Sequence, residues 1–243
     1  MVRWQIRCYL FLYQPHHFIY FSFTMNRLIL IHGYAEDATI FAALRPLFPP
    51  ANVLTISVET EFDRWPAQTP VNAFALATVL AKQYDITAGD TIIGHSMGGW
   101  IAINIKAVTG ATVVQVASFT DQRKVVTPVY HARTLRFLAN AGLLQTRFAV
   151  AAVNCRYPFD ESRTLNGLLL DRLRTMRRTY IAWQLSVLFA PVPPLRVSPD
   201  LRVHARADNI VRPPDELYTV VPGDHFCLVF HPVVVARVIQ TLY

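Results

Sequence analysis

The sequence predicts an α/β protein, a mostly parallel sheet flanked by helices with a helical cap insertion, and three observations carry that reading. Short apolar runs alternate with helical patterns along most of the chain. A long middle stretch has helical patterns and no convincing strand. One apolar strand runs directly into Gly94-x-Ser96-x-Gly98 and a helix. In sheets built this way, active residues collect at the carboxyl ends of the strands. A chain of 243 residues with 53% hydrophobic and 16% charged residues is globular and long enough to bury a substantial core.

The first 24 residues stand apart, and three readings of them stay open. Trp4, Ile6, Cys8, Leu10 and Leu12 alternate as one strand of an edge hairpin, with a turn at Gln14 to His17 and Phe18 to Phe23 returning. The segment is equally an appendage or a misassigned start, because Met25 directly precedes the first strand of the regular pattern. Arg3, Arg7 and the apolar run Cys8 to Tyr13 suggest a signal or anchor, but Gln14-Pro15-His16-His17 breaks the run and no small-x-small cleavage site follows. The domain then covers residues 25–243.

Strand-like runs follow at Leu28 to Ile31, Val53 to Val58, Thr91 to Ile93, Thr112 to Val116, Leu201 to Ala205 and Leu217 to Val221. Helical patterns lie between them. Ala38 to Leu47 ends at Phe48-Pro49-Pro50, Val71 to Tyr84 ends before Gly89, and Gly98 to Val108 ends at Gly110. From about residue 121 to 196 the rhythm stops, with helix-compatible runs at Val129 to Ala141, Thr146 to Val153 and Leu165 to Phe189. This cap stretch holds twelve basic residues against four acidic ones, a formal +8. The remainder has eleven basic and twelve acidic residues, so the +7 of the whole chain resides in the cap. A solvated helix face explains such a cluster, and so does attraction of an acidic substrate, an acyl-carrier partner or an anionic membrane surface. No recognised nucleic-acid-binding module accompanies the charge, so nucleic acid is not expected as a partner.

A serine between two glycines at the end of a strand sits on a turn too sharp for flanking residues that carry a Cβ, and its hydroxyl is pushed out of the sheet. The helix that follows puts the Met97 N–H at a positive N-terminus beside that hydroxyl, where an oxyanion would be held. Ser96 is therefore the candidate nucleophile. Cys8, Cys155 and Cys227 have no metal-like spacing and cannot all pair, which suits a reducing compartment; Cys227 reads as a packing residue.

From about Arg27 onward the chain resembles the α/β-hydrolase superfamily. The residues that carry the resemblance are the turn at Ser96, Leu28-Ile29-Leu30-Ile31-His32-Gly33-Tyr34, the segment Leu201 to Pro214, and Val220-Val221-Pro222-Gly223-Asp224-His225-Phe226. The resemblance implies that the Tyr34 N–H completes an oxyanion hole with that of Met97, that Asp208 is the acid and that His225 is the base. Asp121 and Asp224 are the other claimants for the acid, Asp224 reading as a turn former because it adjoins His225. The short spacing from Asp208 to His225 implies a shortened or missing helix between them. His32 and His95 are read as packing or hydrogen-bonding residues, His204 as part of a strand, and His231 as opening the last helix before Pro232.

The expected activity is cleavage of a carboxylic ester or thioester by a cofactor-independent serine esterase or thioesterase, cytoplasmic, without a metal, acting on a small-molecule substrate, an anionic one where the cap charge serves to attract it. A carbon–carbon hydrolase or lyase, and a non-catalytic ligand-binding protein, are the alternatives on the same fold. No run reaches the ~20 apolar residues of a membrane span. Substrate identity and oligomeric state are left open.

Overall fold

The computed structural model describes residues 27–49, 52–66 and 68–242. The hairpin, appendage and signal readings of residues 1–24 lie outside them. Six strands form one all-parallel sheet in the order β2-β1-β3-β4-β5-β6: β1 (Arg27–Ile31), β2 (Val53–Ile56), β3 (Asp90–His95), β4 (Thr112–Val116), β5 (Leu201–Ala205) and β6 (Thr219–Val221). Successive strand residues face opposite sides, so the two faces build separate cores. Ile29, Ile31, Ile92 and Val113 pack on one side. Leu28, Leu30, Ile93 and Val114 pack on the other. Covering both faces is why β1 and the middles of β3 and β4 read as apolar runs, while β5 keeps an alternating pattern with buried Arg202 and His204.

Local chemistry explains where the elements depart from expectation. The stretch Ala38 to Leu47 is two 3-10 turns, Ala38–Phe41 and Arg45–Leu47, instead of one α-helix. Pro46 lacks the N–H that an α-helix would need there. Strand β2 stops at Ile56 because Ser57 caps a helix missed in the sequence, α1 (Val58–Asp63), whose first turn carries Glu59 and Glu61. Asn72 caps α2 (Ala73–Gln83) by accepting from the Ala75 N–H at 2.8 Å. Helix α3 (Met97–Thr109) ends at Gly110, which has φ 76°. The last strand starts at Thr219, leaving Leu217 outside it and exposed.

Between β4 and β5 the chain forms α4 (Ala132–Asn140), α5 (Arg147–Asn154), α6 (Asp160–Thr175) and α7 (Arg178–Phe189). The run expected as one helix over Leu165 to Phe189 is broken at Met176 and Arg177, whose backbones are extended. The Gln145 amide donates to the carbonyls of Leu173 and Met176 at 2.8 Å each, satisfying acceptors that the end of α6 leaves free. Helix α7 is buried from Tyr180 to Phe189 and anchors the insert to the sheet core: Trp100 donates to the Val187 carbonyl at 3.0 Å, and Gln184 accepts from the Ala35 N–H at 3.1 Å. Beyond β6 the chain ends in α8 (Cys227–Phe230) and α9 (Pro232–Ile239). No helix among the described residues is long and apolar enough to cross a membrane.

Candidate active site

Strand β3 delivers Ser96 to a turn with φ 52° and ψ −120°, a conformation that L-residues avoid. The two glycines are what allow it. A Cβ on Gly94 would lie 2.4 Å from the backbone of Gly98 and Gly99, and one on Gly98 would lie 1.9 Å from the Ile31 carbonyl oxygen of β1. The turn is braced from the neighbouring strand, where the Val116 carbonyl accepts from the Ser96 N–H at 3.1 Å and the Ser118 hydroxyl donates to the Ser96 carbonyl at 2.6 Å. Ser96 precedes Met97, the first residue of α3, and its side chain makes no capping bond to the helix. The Met97 N–H therefore belongs to the first turn, whose donors have no intrahelical acceptor.

The loop after β5 places Asp208 against His225. The two carboxylate oxygens lie 2.9 and 3.1 Å from His225 Nδ1, and one of them also accepts from the N–H groups of Ile210 and Val211 at 2.9 and 2.8 Å. Both side chains are buried. Burial alone would raise the Asp208 pKa, but the His225 charge, its hydrogen bond and the Val211 N–H outweigh it and hold the carboxyl below its ordinary range. Burial likewise acts to lower the His225 pKa, and Asp208, with help from Glu36 and Asp224, reverses the sign. No helix lies between Asp208 and His225; only β6 does. That accounts for their short spacing.

Glu36 was not singled out in the sequence, yet it stands at the centre of this arrangement. Its Oε2 accepts from the Gly33 N–H at 2.6 Å and meets His95 Nδ1 at 2.9 Å, while His95 Nε2 donates to the His225 carbonyl at 2.9 Å. Burial pushes its pKa up, and His95, His225 and the Gly33 N–H more than compensate, leaving it below the ordinary carboxylate range. Both His95 ring nitrogens are engaged, Nδ1 by Glu36 and Nε2 by the His225 carbonyl, which makes the complete burial of the pair tolerable. The pair also constrains the loop after β1: Glu36 engages the Gly33 N–H and Gln184 engages the Ala35 N–H, and the Tyr34 N–H lies between them. A Cβ on Gly33 would lie 2.9 Å from Ser96 Cβ and 2.8 Å from Glu36 Oε2, so this loop borders the serine. Nothing in the sequence pairs residues 36 and 95; a carboxylate three residues beyond His32-Gly33 is the one available hint.

Donor atoms of Glu36, His95 and His225 lie within 4.8 Å of one another, a spacing that would suit a metal ion. Hydrogen bonds already engage both His95 nitrogens and a Glu36 oxygen, and they account for the cluster. The other polar candidates have separate structural tasks. Asp121 is on the surface, paired with Arg123 at 2.7 Å. Asp224 is buried and accepts from Tyr157, Ser162 and the Phe226 N–H, so besides forming its turn it ties the insert to the segment carrying His225. His32 sits between the Gly33 carbonyl and the Val58 N–H, which requires a neutral ring joining β1 to α1. His204 approaches the Val211 carbonyl at 3.1 Å, and His231 opens α9. Burial pushes the Cys227 thiol up to about 12, in keeping with a packing role. Two clefts of about 390 and 130 Å³ surround Arg202 and Glu216, and neither is lined by Ser96 or His225.

A parallel sheet presenting a serine on a strand–turn–helix and a buried histidine–carboxylate pair at its carboxyl edge is the architecture of the α/β hydrolases. The chain belongs to the alpha/beta hydrolase family, whose family model matches residues 28–238. It is similar in fold to a hydrolase from Oleispira antarctica, with a TM-score of 0.64 and 14% identity over 89% of this chain and 88% of that one. An esterase from Thermogutta terrifontis aligns with a TM-score of 0.56 and 15% identity over 89% of this chain and 88% of that one. The RedJ thioesterase from the prodiginine pathway of Streptomyces coelicolor aligns with a TM-score of 0.54 and 16% identity over 87% and 89%. No curated protein matches the chain in sequence.

Proposed function

We propose that this hydrolase cleaves a carboxylic ester or thioester, with Ser96 as nucleophile, His225 as base, Asp208 as the acid that orients it, and the N–H groups of Met97 and Tyr34 as the oxyanion hole. The observation that carries the reading is the Asp208–His225 bond at 2.9 Å, taken together with Ser96 on a turn that its two flanking glycines permit. Ser96 Oγ attacks the carbonyl carbon as His225 takes the hydroxyl proton, and the carbonyl π electrons move onto oxygen, facing the two N–H donors. Collapse expels the alkoxide or thiolate, which receives the proton from His225. Water then repeats the sequence on the acyl-enzyme, releasing the acid and returning the proton to Ser96.

The Glu36–His95 pair is a positioning unit in this scheme. It fixes the His225 backbone through its carbonyl and, by accepting from the Gly33 N–H, holds the His32–Gly33 peptide that precedes the one whose N–H is offered to the oxyanion. The helical insert is the cap, and the cleaved substrate is a small molecule that enters beneath it. Labelling of Ser96 by a fluorophosphonate probe, followed by a panel of esters and thioesters of varied chain length and charge, tests the reading. Failure to label Ser96 in the folded protein, or labelling unaffected by His225→Ala, would reject it.

A further inference from the structure

The 38 residues between Asp121 and Asp160 contain no Asp or Glu, and this part of the insert turns apolar side chains to water. Helix α5, Arg-Phe-Ala-Val-Ala-Ala-Val-Asn, has no buried residue, and Phe148 in it is 89% exposed. An eight-residue helix is not stable in water by itself, so an apolar one needs its face covered. On α4, Leu135 and Ala139 are buried where the helix packs on α7. Phe137 lies about 200° round the helix from Leu135, at ~100° per residue, and is 67% exposed. Leu143, in the turn linking the two helices, is exposed as well.

Most arginines on the α6–α7 side of the insert are paired, Arg178 and Arg196 being exposed without an ion pair among the described residues. Arg163, Arg172, Arg174 and Arg177 are paired with Asp160, Asp37, Asp171 and Asp63. Arg133, Arg136, Arg147 and Arg156 are exposed and make no ion pair among the described residues. A purely solvated face would not carry large apolar side chains between its arginines. Here exposed Phe137, Leu143, Phe148 and Val153 are interleaved with polar Thr134, Asn140, Gln145, Thr146 and Asn154. The partner that complements both features at once supplies anionic oxygens to the guanidinium groups and an apolar phase just behind them.

We propose that the α4–α5 edge of the insert docks on an anionic lipid bilayer, with Phe137 and Phe148 entering the boundary between headgroups and acyl chains and the four arginines against lipid phosphates. The apolar side chains project from outward faces of helices, which suits a deformable lipid surface better than a protein groove. Long arginine stems reach the phosphate level while the rings sit deeper. The inference is independent of the chemistry at Ser96.

Flotation of the full chain with vesicles of phosphatidylcholine alone, and with roughly a third phosphatidylglycerol, tests it. The protein is expected to float with the anionic vesicles and not with the neutral ones, and to detach as salt shortens the screening length from about 8 Å towards 3 Å. Replacing the four arginines by glutamine, or Phe137 and Phe148 together by serine, is expected to lower the bound fraction by about tenfold or more. Emission of Phe148→Trp should shift to the blue and be quenched by bromine-labelled acyl chains in anionic vesicles. No flotation with anionic vesicles, equal flotation with both compositions, or an unshifted Phe148→Trp emission on bound protein would overturn the proposal. So would binding to polyglutamate without binding to vesicles, which would reassign the edge to an acidic protein. Self-association lost in the double serine variant, again without vesicle binding, would reassign it to a second copy of the chain.

Discussion

The interior around His225 and the outer edge of the insert treat charge in opposite ways. At the carboxyl ends of the strands, Asp208, His225, Glu36 and His95 are buried, each with a hydrogen-bond partner at 3.1 Å or less. Along α4, α5 and the turn that follows, Arg133, Arg136, Arg147 and Arg156 face water without a carboxylate. In the interior a misplaced charge has no solvent to fall back on, so geometry is tightly constrained and removal of one partner strands the other. On the edge, solvent screens each charge and the arginines act through their summed field. Substitutions inside should therefore be severe and specific, and those outside mild and dependent on salt.

The largest effect is expected at Ser96 and His225. If the two act as one unit, Ser96→Ala and His225→Ala should each lower kcat by about 10⁴-fold or more, with the double variant scarcely worse. Additive losses in steady-state kinetics would break the triad reading. Asp208→Asn should cost on the order of 10⁴-fold through the wrong histidine tautomer, and Asp121→Asn almost nothing. A pH profile sharpens the same point. On the proposed mechanism His225 is a base only when neutral, and its pKa is raised above the ordinary 6.5, so kcat/KM should fall as pH is lowered through a limb above that value. In Asp208→Asn the limb should move to lower pH, because the principal group raising it has been neutralised.

Gly98→Ala tests the scaffold rather than the chemistry. Its Cβ would meet the backbone oxygen of Ile31 at 1.9 Å, so a loss of more than ~3 kcal/mol in denaturant melts is expected, or failure to fold. Glu36→Gln removes one partner of a buried pair, and a loss of about 3 kcal/mol is expected. Its kcat for a soluble ester should drop while KM stays within a few-fold, which a purely structural role for Glu36 would not produce. The smallest effect belongs to the edge. Glutamine at positions 133, 136, 147 and 156 should each change stability by no more than ~0.5 kcal/mol and leave turnover of a neutral soluble ester unaltered. A large loss there would erase the contrast between the two regions.

Much of the fold was legible because periodic burial leaves a periodic sequence. Strand β1 and the middles of β3 and β4 are covered on both faces and so read as apolar runs, whereas β5 alternates with buried Arg202 and His204, and the glycines around Ser96 reflect a clash that any Cβ at positions 94 or 98 would create. The misses have equally local causes. Pro46 turned an expected helix into two short turns, Ser57 began a helix where a strand was expected to continue, and Gln145, distant in sequence, capped the end of α6 and divided a long helical run. The last of these could not be read locally, since the cap comes from another element.

By itself, the sequence determined the alternation of strands and helices, the turn at Ser96 and the concentration of positive charge between β4 and β5, because each depends on residues adjacent along the chain. Only the tertiary structure decided that Asp208, rather than Asp121 or Asp224, meets His225. It alone joined Glu36 to His95 across 59 positions, and it alone separated the paired Arg163, Arg172, Arg174 and Arg177 from the unpaired Arg133, Arg136, Arg147 and Arg156. Hydrogen bonds and ion pairs depend on distances of about 3 Å in space, and sequence separation carries no such distance until the sheet has ordered its strands.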